Sequence, residues 1–106
     1  MNKPMRLMIF FDLPVKTKQQ RSTATSFRNA LIKDGFYMVQ FSVYARVCNG
    51  IEAAQKFENR VIKIAPANGS VRLMTVTEKQ YAEIKIVTGS QKERDKAFKG
   101  HQLSFF

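Results

Sequence analysis

Met8-Ile9-Phe10-Phe11-Asp12-Leu13-Pro14 is the stretch that decides the fold. An apolar run of strand character ends in a carboxylate, and the proline two positions later prevents the strand from continuing. This pattern predicts a central strand over about 5–12 with Asp12 at its tip. Aspartate is common wherever strands give way to turns, so a solvated strand-end residue is the alternative to a functional carboxylate.

The residues after this strand predict a helix and then a long stretch of strand character. A loop over 13–16 leads into a helix over 17–33, and Gly35 follows the end of that helix as a cap. The segment 36–48 is rich in β-branched and aromatic residues and is longer than a usual strand. We expect it to divide near 40–42 into two strands, with one long bent strand as the alternative.

A second helix and two more strands are predicted in the rest of the chain. A turn over 49–50 leads into a helix over 51–65. Apolar residues on both faces of 71–77 indicate a strand that is well buried, and 81–87 has the pattern of a further short strand. The apolar positions expected to face inward are Ala24, Phe27, Ala30 and Leu31 in the first helix, and Ala54, Phe57, Val61, Ile64 and Ala65 in the second.

The element order β-α-β-β-α-β predicts an α+β fold of the ferredoxin-like type with an additional C-terminal strand. A chain of 106 residues can form one domain with a small core, which we place over 1–87. The tail 88–106 is charged but ends in Leu103-Ser104-Phe105-Phe106. We interpret this apolar end as a segment that contacts a partner, with a disordered tail as the alternative.

Charge is the strongest global feature of the composition. Eighteen Lys and Arg against eight Asp and Glu give a net charge of +10, and a field of that sign attracts polyanions such as nucleic acid. An acidic protein or an anionic membrane surface is the alternative, although no predicted helix resembles one that lies in a lipid interface. The single cysteine, Cys48, and the absence of a long apolar run predict a cytoplasmic protein.

Few catalytic chemistries fit the residues present. The single histidine, His101, argues against a catalytic triad, a paired-histidine RNase and a histidine metal site. A carboxylate with a metal ion remains, but magnesium usually takes one or two carboxylates together with water and phosphate. Two copies that meet across a two-fold axis near the end of the first strand would place both Asp12 carboxylates on one magnesium or manganese ion.

Basic side chains recur at helical spacing on both predicted helices. They are Lys18, Arg21 and Arg28 on the first helix, and Lys56, Arg60 and Lys63 on the second. Each row is either a phosphate-binding ridge or a solvated face, and the periodicity does not decide between the two. Arg46 and Arg72 on the predicted strands are further candidates for phosphate contacts, again with a solvated role as the alternative.

Several segments together resemble the CRISPR-associated adaptation endoribonuclease family, the small companion of the spacer-integrating nuclease. They are Phe11-Asp12-Leu13-Pro14, Arg21, Lys33-Asp34-Gly35 and Gln40-Phe41-Ser42-Val43-Tyr44, within a match over about 5–87. The Phe-Asp-Leu-Pro form and the run 75–81, Thr-Val-Thr-Glu-Lys-Gln-Tyr, are most similar to the branch found in type II-like systems with a single large effector nuclease.

The resemblance implies a ferredoxin-like homodimer in which Asp12 of each chain flanks one magnesium ion. It implies a metal-dependent endonuclease that acts on single-stranded RNA or double-stranded DNA. It also implies a scaffold that bridges two integrase dimers along the spacer DNA. By the same resemblance, Arg21 matches a basic position near the phosphates. Lys16 and Lys18 stand where the loop of the family is often basic or polar.

The motif over 40–44 combines two kinds of side chain. Phe41 and Val43, at a period of two, predict one buried strand face. Gln40 and Ser42 lie on the other face, where polar groups at a sheet edge or subunit seam need partners. The resemblance places this motif beside the subunit interface, and we therefore expect Gln40, Ser42 and Tyr44 there.

Three alternatives to an adaptation nuclease stay open. A non-catalytic RNA-recognition domain shares the element order, but its aromatic octamer belongs on the third strand, and only one helix fits between Asp12 and Gly35. A free-standing RNase of the toxin type would share the residues named above. So would a pure scaffold with a vestigial metal site.

Overall fold

The computed structural model describes residues 3–89, which contain one four-stranded antiparallel sheet and three helices. The strands are β1 (Pro4–Asp12), β2 (Tyr37–Gln40), β3 (Val43–Asn49) and β4 (Ser70–Thr77), and the helices are α1 (Lys18–Lys33), α2 (Ile51–Ile64) and α3 (Glu78–Ala82). The strand order is β2-β3-β1-β4, which confirms the predicted ferredoxin-like βαββαβ arrangement. No helix in this part of the chain is long and apolar enough to cross a membrane.

The predicted central strand is β1, which pairs with β3 on one side and β4 on the other. Its side chains alternate between the two faces of the sheet. Leu7, Ile9 and Phe11 enter the main core, whereas Met8 and Phe10 lie on the opposite face. The main core is completed from α1 and α2 by Phe27, Leu31, Ala54 and Val61.

Two burial predictions are wrong, one for β4 and one for the end of α2. β4 is an edge strand, so its side chains are half-buried or exposed, and Met74 is 54% exposed. Ile64 was expected to face inward, but it is the last residue of α2 and is 46% exposed. Helical periodicity places a residue on a face but does not show that the neighbouring element extends far enough to cover it.

The predicted strand over 81–87 is also wrong. Thr77 accepts a hydrogen bond from the backbone N–H of Gln80, and the Gln80 side chain accepts one from the backbone N–H of Thr77. This capping box starts α3, which buries Tyr81 against the sheet. Residues 90–106, with the apolar end of the predicted tail, lie outside the described residues.

The segment 36–48 divides into two strands near 40–42, as predicted. Phe41 and Ser42 form the turn between β2 and β3, and Ser42 has a φ of +65°. The expected burial of Phe41 is wrong, because a turn residue leaves the strand alternation, and its side chain is 74% exposed. A register shift between Met38 and Gln40 accompanies the turn.

Candidate functional site

Asp12 is the last residue of β1, and its side chain is exposed. Strand alternation places it on the face of Met8 and Phe10, which α1 and α2 leave open. Among residues 3–89, no side-chain hydrogen bond or ion pair is formed by this carboxylate. The predicted position at the strand tip is confirmed, and the role of Asp12 as a metal ligand stays a prediction.

The turn before β4 fixes the backbone at Asp12. Ser70 is paired with Asp12 in the sheet, and Gly69 has a φ of +94°. A Cβ at position 69 would lie 2.6 Å from the carbonyl oxygen of Asp12, and residues with a side chain rarely adopt that φ. Glycine at position 69 therefore lets the chain close tightly against the end of β1.

Arg21 ties the loop after β1 to the first helix. Its Nη1 donates to the carbonyl oxygens of Val15 at 3.2 Å and Lys16 at 3.0 Å. Thr17 starts α1 with a capping box, so the loop after β1 is fixed both by this cap and by the contacts of Arg21. Arg21, Lys16 and Lys18 are all exposed, and their charges lie in or directly after the loop that follows Asp12.

The sheet register brings Arg72 beside Asp12. Asp12 is opposite Ser70 and Phe10 is opposite Arg72, so Arg72 is the diagonal neighbour of Asp12 on the same face of the sheet. Such diagonal positions are about 7–8 Å apart. Arg72 is exposed. The sequence suggested Arg72 as a phosphate contact without linking it to Asp12, because register cannot be derived from spacing along one strand.

Arg28 is half-buried between two aromatic rings rather than on a solvated ridge. Its guanidinium carbon lies 5.6 Å from the ring centroid of Phe11 and 4.9 Å from that of Phe41. Its Nε is buried and has no hydrogen-bond partner in the part of the chain that the structure describes. The position of Arg28 is therefore set by ring contacts that helical spacing did not indicate.

The 40–44 motif is split between three environments. Gln40 is exposed at the end of β2, and Ser42 accepts a hydrogen bond at its carbonyl from the backbone N–H of Phe11 at 3.0 Å. Tyr44 is buried and stacks on Phe11 with 5.6 Å between ring centroids. Tyr44 is thus part of the core of one chain, and the interface role predicted for the motif stays a prediction.

Arg46 lies away from Asp12. It is opposite Leu7 in the sheet, five residues from Asp12, which corresponds to about 17 Å along a strand. Its guanidinium stacks 3.7 Å from the ring centroid of Phe57. A Cβ at Gly35, which has a φ of +91°, would collide with Arg46. Packing against Phe57 explains the position of Arg46. Its distance from Asp12 gives no support to the predicted phosphate contact.

The second basic row lies on α2, on the helical side of the molecule. Arg60 pairs with Asp34 through an Nη1–Oδ1 distance of 2.7 Å and lies 5.0 Å from the Phe57 ring centroid. Lys56 and Lys63 are exposed. Arg60 connects α2 to the C-terminal end of α1, and the row is not part of the group of charges near Asp12.

One buried polar cluster is not indicated by any local pattern in the sequence. Arg6 is 1% exposed, and it donates from Nε to Glu78 at 2.7 Å and from Nη1 to the hydroxyl of Tyr37 at 2.6 Å. Tyr37 donates to the hydroxyl of Tyr81 at 3.1 Å. Burial raises the pKa of Tyr81 to about 12, with Glu78 adding to the rise and Arg6 opposing it. The cluster joins β1, β2 and α3, and local periodicity cannot detect partners so far apart in the chain.

Comparisons with known proteins agree on one family. Residues 5–84 match the family model described as CRISPR associated protein Cas2. The chain is 46% identical over 102 residues to the CRISPR-associated endoribonuclease Cas2 of Acidovorax ebreus, a match that covers 96% of this chain and 100% of that protein. The protein of the same name from Campylobacter jejuni is 39% identical over 105 residues, covering 99% of this chain and 73% of that protein. The one from Lacticaseibacillus rhamnosus is 45% identical over 89 residues, covering 84% and 88%.

Proposed function

The chain belongs to the CRISPR-associated Cas2 family, and we propose that it is a metal-dependent endonuclease that acts as a homodimer in spacer acquisition. Its substrate is single-stranded RNA or double-stranded DNA, and its dimer bridges copies of the spacer integrase. The relatives from A. ebreus and C. jejuni are named endoribonucleases, which makes RNA the first substrate to test. We also propose that the protein is cytoplasmic and belongs to the type II-like branch.

The observation that carries this proposal is the position of Asp12 at the rim of an uncovered apolar sheet face. The helices α1 and α2 cover only the opposite face. On the open face, Met74 is 54% exposed and Val47 is 43% exposed, and Phe10 and Val43 are half-buried. A two-fold contact between two such faces would remove this apolar surface from water and bring the two Asp12 ends together.

In this proposal the metal site takes one carboxylate from each chain. No three His, Cys, Asp or Glu side chains among residues 3–89 are grouped so that they could hold an ion, and Asp34 is paired with Arg60. Magnesium with one or two carboxylates, completed by water and phosphate, fits a pair of Asp12 residues. When bound there, a divalent ion supplies charge stabilisation for the phosphate and a more acidic bound water.

The other residues of this region would bind and orient the phosphodiester. Arg72, diagonal to Asp12 on the open face, is placed to contact a phosphate oxygen with its planar guanidinium. Arg21 holds the loop after β1 through two carbonyl contacts, and the exposed Lys16 and Lys18 extend the positive surface. Phosphate contacts of this kind carry no base information, so binding should be largely independent of sequence.

The test is cleavage of labelled single-stranded RNA and double-stranded DNA with magnesium, with manganese and with a chelator. We expect wild-type cleavage to require the metal, and Asp12→Asn to lose more than about 100-fold of the rate, because the charge that holds the ion is removed. The matched control is Asp34→Asn, which removes the carboxylate paired with Arg60 and should cleave like the wild type. Sedimentation establishes that wild type, Asp12→Asn and Asp34→Asn are compared at the same dimer fraction.

A scaffold that does not hydrolyse nucleic acid is the second candidate, and the single carboxylate of each chain at the strand tip favours it. Salt-sensitive binding by wild type and Asp12→Asn, without cleavage by either, would establish the scaffold and contradict the nuclease. Growth arrest on expression that Asp12→Ala relieves would instead favour a toxin-type RNase. The family match removes the RNA-recognition domain from the alternatives.

A further inference from the structure

Phe41 is the one aromatic side chain of residues 3–89 that the fold leaves exposed. Its ring is 74% exposed, whereas Phe11 and Tyr44, which lie near it in the sheet, are 6% and 3% exposed. Single exposed apolar residues are common on protein surfaces. The surroundings of this ring, rather than its exposure alone, therefore decide what it can do.

One side of the Phe41 ring is backed by a cation. The Arg28 guanidinium lies over it at 4.9 Å from the centroid and is held from behind by Phe11 at 5.6 Å. Arg28 Nε is buried and lacks a hydrogen-bond partner among the described residues, so contacts with the two rings hold the guanidinium in place. The result is a fixed pair, a charged group beneath an aromatic ring whose other side is in solvent.

The backbone holds this ring in place. Ser42, next in the chain, has a φ of +65°, the one positive φ of a non-glycine residue in the described part of the chain. Its carbonyl accepts a hydrogen bond from the backbone N–H of Phe11 at 3.0 Å. A left-handed conformation of serine persists only where its surroundings enforce it. The turn is thus anchored to β1 at the residue directly before Asp12.

In the dimer proposed above, a second copy of the chain would not cover Phe41. Arg28 belongs to α1 and contacts both Phe41 and the core residue Phe11, so the ring lies on the helical side of the sheet. The proposed dimer uses the opposite face, where Met74 and Val47 are exposed. Phe41 would therefore stay accessible in that dimer, next to the strand end that carries Asp12.

We infer that Phe41 and Arg28 form a stacking site for one unpaired base of a single-stranded nucleic acid, adjacent to the Asp12 end of β1. Aromatic rings beside basic side chains are the combination that binds single strands, because the ring stacks on a base while the cations follow the phosphates. Lys18 and Arg21 precede Arg28 on the same helix and supply such cations. A duplex keeps its bases stacked inside, so this site should distinguish single strands from duplexes. The inference rests on the proposed nucleic-acid function.

Binding of a labelled 12-nucleotide single-stranded RNA and of a blunt DNA duplex tests this site. Phe41→Ala should weaken single-strand binding by at least about fivefold, the loss expected for one stacked base, and should change duplex binding by less than about twofold. The control Ile62→Ala truncates another exposed apolar residue, 63% exposed on α2, and should change neither. Phe41→Trp should retain single-strand affinity, because it keeps a flat aromatic surface.

The Phe41→Trp variant also reports stacking directly, since the natural chain contains no tryptophan. Single-stranded RNA should quench its emission, whereas the same RNA should leave the emission of Ile62→Trp unchanged. Equal single-strand affinity of wild type and Phe41→Ala, with unquenched emission, would overturn the stacking site while leaving nucleic-acid binding intact. A blue shift that depends on protein concentration without RNA would place Phe41 in a subunit contact and also overturn it. Absence of binding by the wild type to either probe would contradict the proposed function itself.

Discussion

The two faces of the sheet are built from the same strands but are completed in different ways. On the helical face, Leu7 and Ile9 are fully buried beneath α1 and α2. On the open face, Met8 and Ala45 are buried with Tyr81 of α3, but Met74 at the edge stays exposed. A five-residue helix cannot cover the area that two long helices cover. The chain thus closes one face by itself and leaves apolar surface on the other, which is the face of Asp12.

The two faces also differ in how they accommodate arginine. Arg6, on the open face, is buried and paired with the Glu78 carboxylate at 2.7 Å. Arg46, on the helical face, is half-buried and stacks on Phe57. An aromatic ring can support a cation that keeps contact with water, whereas a fully buried cation needs an anion or several hydrogen bonds. The guanidinium of Arg6 thus has a carboxylate, a hydroxyl and the ring of Tyr81 at 4.6 Å around it, whereas that of Arg46 stacks on a ring.

The largest expected effect is on association through the open face. Met74→Asp places a charge at a position that is 54% exposed in one chain, so the chain should still fold. In a dimer that buries this position, the unpaired charge should weaken association by more than about 100-fold. Sedimentation at several protein concentrations measures the change.

The matched control for Met74→Asp is Ile62→Asp, which introduces the same charge at an exposed apolar position on α2. This variant should sediment like the wild type. If both variants remain dimers, the open face is not the subunit interface, and the pairing of two Asp12 residues proposed above would be contradicted.

The second effect concerns the two ion pairs. Glu78→Ala leaves Arg6 buried without its carboxylate and should lower the free energy of unfolding by about 3 kcal/mol. Asp34→Ala removes the partner of Arg60, whose side chain is half-exposed, and should cost less than about 1 kcal/mol. Urea denaturation of both variants gives the comparison. Equal losses of unfolding free energy would show that burial does not make the Arg6–Glu78 pair more stabilising than the exposed Arg60–Asp34 pair.

The sequence predicted those features that depend on short-range pattern. The strand that ends at Asp12, the helix over 17–33 and the division near 40–42 follow from alternation, capping residues and turn residues, and the structure confirms them. The residues from Tyr81 to Val87 have a strand-like pattern, but Thr77 and Gln80 form a capping box that starts a helix, so the strand predicted over 81–87 is wrong.

Features that depend on contacts between distant segments could not be predicted. The pairing of Arg72 next to Asp12 requires the register of β1 with β4. The burial of Arg6 requires Glu78, 72 residues later. The exposure of Phe41 depends on where one turn is placed, because a shift of one residue moves a side chain to the other face. Local pattern found the candidate carboxylate but not the groups that surround it.

The smallest expected effect is a pH dependence on the open face. Burial raises the pKa of Tyr81 to about 12, above its ordinary value near 10 in the unfolded chain. The folded state therefore holds this proton more tightly, and the associated stability is fully present below about pH 10 and is lost as the pH rises towards 12. Tyr81→Phe has no such proton, so the stability advantage of the wild type over this variant should shrink between pH 9 and about pH 12. Urea denaturation at a series of pH values measures the difference. Parallel stability curves for the two proteins would mean that Tyr81 is not held protonated by the fold.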